Sequence, residues 1–167
     1  MEKRELIERL RFLGEILKSL GGSIEGRKKM QKMIFLLQEC KIIPNIYEFE
    51  WNYYGVYSGD LAGDVQQGIS FELLSEEKSE GHLYPTYQIN LKDEGKLDLR
   101  DFSTKKKELI NEFSRAETPL LEVASSIVYF KKEGYKDARI KELLGIYKKH
   151  LEDYFEKGFE LAKEFEC

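Results

Sequence analysis

Four basic side chains fall within six consecutive positions: Arg27, Lys28, Lys29 and Lys32. Such a cluster can hold phosphate oxygens, and each phosphate it neutralises adds salt-dependent affinity. The same four charges can also make a solvated helix face. Charge of the opposite sign gathers downstream, led by Glu48, Glu50, Asp60 and Asp64. Residues 42–81 hold one basic residue, Lys78, against eight acidic ones, a net −7, whereas residues 1–41 hold ten basic against six acidic, a net +4. A phosphate backbone is repelled by the second stretch. The split suits a protein partner of complementary charge, head-to-tail self-association, or neutralisation within the fold.

Trp51, Tyr53, Tyr54 and Tyr57 form an aromatic cluster. Aromatic rings can stack bases, but platforms that do so are flanked by Lys and Arg, and Glu48 and Glu50 stand here instead. Core packing is the expected role, with tyrosine hydroxyls at the rim free to bond a partner. The two histidines, His82 and His150, are far apart and have no companions at metal-ligand spacing, so surface positions are expected. No serine elbow, phosphate-binding glycine loop or cysteine nucleophile context is present, and Gly21-Gly22 lacks the Gly-Lys-Ser/Thr that a phosphate loop needs. Cys40 closes an apolar helix and reads as a small buried hydrophobe, and Cys167 as terminal and exposed. The expectation is therefore no enzyme, no catalytic residue, no metal and no cofactor.

The composition frames these residues. The chain has 167 residues, 41% apolar and 35% charged, with a formal charge of −4. That describes a globular chain with room for one real core and excludes a uniformly basic nucleic-acid binder. No apolar run approaches ~18 residues, so no membrane span is expected. Met1-Glu2-Lys3-Arg4 leads into no signal-peptide core, and two cysteines cannot make a disulfide framework, so a cytoplasmic setting is the default.

The elements that must position these groups are mostly helical. Leu6, Leu10, Leu13, Leu17 and Leu20 make one apolar stripe, ended by Gly21-Gly22-Ser23. A second helix runs from about Glu25 to Cys40, burying Met30, Met33, Ile34 and Leu37. Tyr47, Phe49, Trp51 and Tyr53 alternate with polar residues and read as one face of a short strand ended by Gly55. Ser58 can cap a helix reaching about Gly68. Strands are expected at Phe71–Leu74 and Leu83–Ile89, with a charged loop over Glu76–Gly81 and Pro85 marking an edge. After Asp101 the pattern is helical, with Ser103, Thr118-Pro119 and Asp137 as start signals and Gly134 as a stop. The order predicts an α+β, predominantly helical fold: a winged-helix-like domain over 1–101 and a helical extension over 102–167 packed on it.

Three stretches carry a family likeness. They are Gly26 to Leu37, with its basic-Gln31-Lys32-apolar helix; Tyr53 to Leu61 followed by Asp64-Val65, with its aromatic-Gly55-aromatic-Ser58 turn; and Leu121 to Ile127 with Ala162 beyond. Together they resemble the YwgA-like proteins of bacteria and archaea, and the first two more distantly resemble the Panacea (SocA-type) antitoxin domain. Val56 stands where both groups often carry proline. The Panacea resemblance implies toxin neutralisation by protein contact, and neither group implies a catalytic residue. The expected function is a non-catalytic intracellular regulatory or protein-interaction module. Its working surfaces would be Arg27, Lys28, Lys29 and Lys32, and an acidic face at Glu48, Glu50, Asp60 and Asp64. The alternative is a winged-helix DNA-binding regulator holding phosphates with the basic cluster. A homodimer fits both readings.

Overall fold

A computed structural model describes residues 3–79 and 85–164. The elements in chain order are α1 (Lys3–Ser19), β1 (Ser23–Glu25), α2 (Arg27–Glu39), β2 (Glu50–Asn52), β3 (Gly55–Tyr57), α3 (Gly59–Ser70), β4 (Leu74–Ser79), β5 (Thr86–Leu91), α4 (Thr104–Arg115), α5 (Thr118–Lys132), α6 (Asp137–Tyr147) and α7 (Phe155–Glu164), with short 3-10 segments at Glu94–Lys96 and Lys149–Tyr154. The protein is α+β and mostly helical. Packing divides it into two units: Met1–Met30 with Gly59–Arg115, and Gln31–Ser58 with Ala116–Cys167.

The first unit is built on α1 and a three-stranded antiparallel sheet of order β1-β5-β4. Leu10, Leu13 and Leu17 of the leucine stripe are buried, while Leu6 and Leu20 are half-buried. Helix α1 closes where the Gly22 N–H donates to the Leu17 carbonyl at 2.8 Å, a bond reaching back past the last turn. The sheet pairs Ile24 with Ile89 and Leu74 with Leu91, and Ile24, Leu74 and Ile89 are buried. The short strand β1 falls where the sequence suggests only a helix stop.

Two strand expectations shift. Residues Phe71–Leu73 are not a strand but the close of α3: the Phe71 N–H donates to Gln67, Leu73 to Gly68, and Glu72 takes a positive φ of 60°. That left-handed residue ends the helix as a C-terminal cap does, so the strand begins at Leu74. Residues Glu76–Ser79, expected in a loop, are part of β4. The second strand runs over Thr86–Leu91 rather than Leu83–Ile89. Residues 80–84, including His82 and part of the expected loop, lie outside the described residues, as do Phe165 and Cys167.

The second unit is organised around α5. Every residue of α5 from Leu121 to Val128 is buried, so the helix is enclosed on all sides. Pro119 starts it as expected, but Glu117 rather than Thr118 holds the N-cap position. Similarly, Lys136 precedes α6, and Asp137 sits in its first turn. Gly158 on α7 lets that helix approach α5 closely, since a Cβ there would lie 2.5 Å from Val123 Cγ1. Cys40, just past the end of α2, is half-buried rather than fully buried.

Candidate interaction site

Strands β2 and β3 form an antiparallel hairpin, pairing Glu50 with Tyr57, Trp51 with Val56 and Asn52 with Gly55. Its turn is the pair Tyr53-Tyr54. The aromatic alternation continues only to Trp51: Tyr47 is buried and Phe49 and Trp51 half-buried, but Tyr53 is 85% and Tyr54 61% exposed. The expectation that the whole cluster packs in the core therefore fails at the turn and again at Tyr57, which is exposed on β3. A two-residue connection reverses the chain at Tyr53, and its side chain has no sheet face to join. The Asn52 side chain accepts from the Tyr54 N–H at 3.2 Å, and the two tyrosine rings meet edge to face at 5.0 Å.

Buried charge fixes this hairpin from within the unit. Lys148 Nζ donates to the Tyr53 carbonyl at 3.1 Å and to Glu122 Oε1 at 3.2 Å. Lys32 Nζ donates to the Val56 carbonyl at 2.7 Å. Ser126 Oγ donates to the Glu122 carbonyl at 2.8 Å and accepts from Trp51 Nε1 at 3.3 Å. Gln31 clasps Ser58 from both sides, accepting from its N–H at 2.8 Å and donating to its carbonyl at 3.0 Å. The side chains of Lys148 and Glu122 are 1% and 3% exposed, and Lys32 is 2% exposed. Charges this far from water persist only when paired and hydrogen-bonded.

Gly55 is the point on which these groups converge. Its φ is +92°, which favours glycine. A Cβ there would lie 3.4 Å from Ser126 Oγ, 3.7 Å from Lys32 Nζ and 3.8 Å from Glu122 Cγ. Gln31 and Lys32 come from the first of the three family-like stretches, Gly55, Val56 and Ser58 from the second, and Glu122 and Ser126 from the third. Residues from all three stretches thus form one polar clasp that sets a hairpin. Lys148 joins it from outside all three stretches.

Around the hairpin the surface is aromatic. Tyr147 meets Trp51 edge to face at 5.0 Å, Trp51 meets Phe130 at 5.2 Å, and Phe130 meets Tyr135 at 6.0 Å. Tyr135, Ile146 and Tyr147 are exposed. Grouped exposed apolar side chains of this size mark interaction surfaces more often than they occur idly.

The four basic and four acidic candidates meet different surroundings in the fold. Arg27 is exposed, ion-paired with Glu76 across the first unit's sheet and set 4.1 Å over the Tyr87 ring; the pairing holds its guanidinium above its ordinary pKa. Lys28 is exposed. Lys29 is half-buried and donates to the Ser114 carbonyl, and burial lowers its pKa. Lys32 is in the clasp and presents no solvent-facing charge. Asp64 is buried in a two-pronged ion pair with Arg9, at 2.6 and 2.9 Å, whereas Asp60 is exposed at the start of α3. Glu48 and Glu50 are both exposed, Glu48 before β2 and Glu50 on it. His150 is exposed. Among the described residues no helix is long and apolar enough to cross a membrane.

The clasp residues Glu122 and Lys148 escape the sequence reading. Glu122 carries a signal nonetheless: it is the one charge inside the apolar run from Leu120 to Val128, and a charge there must be either exposed or paired.

Fold and site together define a small α+β, mostly helical protein with an aromatic hairpin locked by buried ion pairing. The chain is 30% identical over 128 residues, 72% of its length and 73% of the relative's, to "Uncharacterized protein YwgA" of Bacillus subtilis (strain 168). It belongs to the YwgA-like family. No family model matches it, and no solved structure does.

Proposed function

We propose that the protein is a non-catalytic interaction module that docks on a protein partner through the Tyr53-Tyr54 turn and the neighbouring aromatic row. The observation that carries this reading is the combination of exposure and fixation at one turn. Tyr53 and Tyr54 face solvent while the backbone beneath them is held by Lys148 and Lys32. Tyrosine offers large contact area with few rotatable bonds, and a pre-set backbone leaves little entropy to lose on binding. An antitoxin-like regulatory role, as the distant resemblance implies, is one form of this reading. The test is affinity purification from the native host with wild-type protein and a Tyr53→Ser/Tyr54→Ser variant matched in thermal stability. A stoichiometric protein partner retained by the first and lost by the second supports the proposal.

One observation favours a second reading. The order α1, β1, α2, α3, β4, β5, with a β1-β5-β4 antiparallel sheet, is the order of a winged helix, with the hairpin interposed before α3. A DNA-binding regulator would then place α3 as its recognition helix. Helix α3 exposes Asp60, Gln66 and Gln67 and carries no Lys or Arg, which disfavours phosphate contact. Duplex anisotropy at low and physiological salt separates the readings. Binding that falls with salt and is lost in Lys28→Glu supports DNA.

A further inference from the structure

A second feature of the same unit points to the chemistry of the partner. The extended stretch before β2 runs alongside α2 and α5, and between them lies a cleft of about 530 Å³. Its wall is rigid: the Gln38 amide accepts from the N–H groups of Ile46 and Tyr47, at 3.1 and 2.9 Å, and donates to the Tyr47 carbonyl at 2.9 Å. Its lining includes the half-buried rings of Phe49 and Tyr129 beside the buried Phe35. Phe35 meets Phe49 edge to face at 5.3 Å and Tyr129 at 6.4 Å. Its charged groups are mostly anionic. Glu48 and Glu133 stand at its mouth, and Glu39 holds Lys132, the one ammonium among its described lining residues, at 2.9 Å.

We infer that this cleft receives a lysine or arginine side chain from a basic segment of the protein partner. Ring faces attract a cation, and a guanidinium stacks on them best. Glu48 and Glu133 supply the counter-charges that Lys132, already paired with Glu39, does not neutralise. An acidic segment is repelled by the carboxylates at the mouth, and a purely apolar one gains nothing from them. The inference takes its class of occupant, a protein segment, from the proposed function. Its charge comes from the cleft alone.

The probe is a fluorescein-labelled octapeptide of alternating arginine and alanine, titrated by anisotropy at low salt beside its glutamate counterpart. The arginine peptide is expected to bind about tenfold or more tighter than the glutamate peptide. Glu48→Lys with Glu133→Lys is expected to weaken it by about tenfold, whereas Asp60→Lys with Glu94→Lys, which changes net charge equally in the other unit, leaves it within about twofold. Tyr129→Leu, which leaves all charges in place, is expected to weaken it about threefold. Circular dichroism melts confirm that each variant is folded. Equal binding of the two peptides, no binding, or equal losses from the two charge reversals would overturn the assignment. Tyr53→Ser/Tyr54→Ser is expected to leave peptide affinity unchanged, so a failed cleft and a failed hairpin surface give different results.

Discussion

Lys148 Nζ lies 3.2 Å from Glu122 Oε1 with both side chains out of solvent, and the same ammonium holds the Tyr53 carbonyl at 3.1 Å. Lys32 is a second buried cation at this point, since its Nζ and Glu122 Cγ both approach the Cβ position of Gly55 within 4 Å. The Glu122 carboxylate pairs with Lys148. Glu122→Gln should cost about 3–5 kcal/mol, because it leaves the buried Lys148 ammonium without that charge. Lys148→Met should cost a similar amount, because it takes that ammonium from the buried Glu122. Urea unfolding of the two variants measures both; losses below about 1 kcal/mol would contradict a buried, coupled pair.

Gly55→Ala should destabilise by about 1–3 kcal/mol, since the left-handed backbone is strained for a side chain and the new methyl sits 3.4 Å from Ser126 Oγ. Gly63→Ala provides the contrast. Gly63 is an exposed interior position of α3 with nothing near its Cβ, so alanine there should stabilise by up to about 1 kcal/mol. Thermal melts of the pair check both signs.

Asp64→Asn should cost about 3 kcal/mol, because it leaves the largely buried Arg9 guanidinium without its counter-charge. Asp60→Asn, four residues earlier on the same helix but exposed, should stay within about 0.5 kcal/mol. Chemical denaturation distinguishes them. Similar costs would mean that Asp64 behaves as a surface acid.

Glu15 gives a pH signature. Burial holds its carboxyl above the ordinary value of 4.5, opposed by the nearby Arg11 charge. Between that value and the raised one, the folded chain keeps a proton the unfolded chain has released. Folding stability from this group is therefore complete below the unfolded value and is lost as pH rises through the folded one. Relative to Glu15→Gln, the wild type should lose stability as pH rises through this window and then level off. A difference curve that rises with pH contradicts the burial argument.

Much of the helical framework is legible in the residue spacing. The leucine stripe of α1, Ser103 ahead of α4 (its Oγ accepts from the Lys106 N–H at 3.3 Å) and Gly134 after α5 all act as their residue types predict. The strands are harder. β1 is three residues long and exists because β5 pairs with it, a long-range relation that no local pattern records. The β4 boundary moves because Glu72 adopts a left-handed conformation without being glycine or asparagine. The site divides in the same way. The alternation predicts a single strand ended by Gly55 rather than a hairpin, because the two central positions of the turn, Tyr53 and Tyr54, hold none of the usual turn residues. Lys32 looks like one of four surface cations until α5 and the hairpin close over it. Its burial depends on partners more than twenty positions away, Val56 among them.

The most direct test of the account is quantitative affinity purification from the native host with wild-type protein and the Tyr53→Ser/Tyr54→Ser variant. The account predicts a near-stoichiometric protein on the wild type, depleted about tenfold or more on the variant while its melting temperature is unchanged. A partner retained equally by both, or a wild type that retains nucleic acid and no protein, would contradict it.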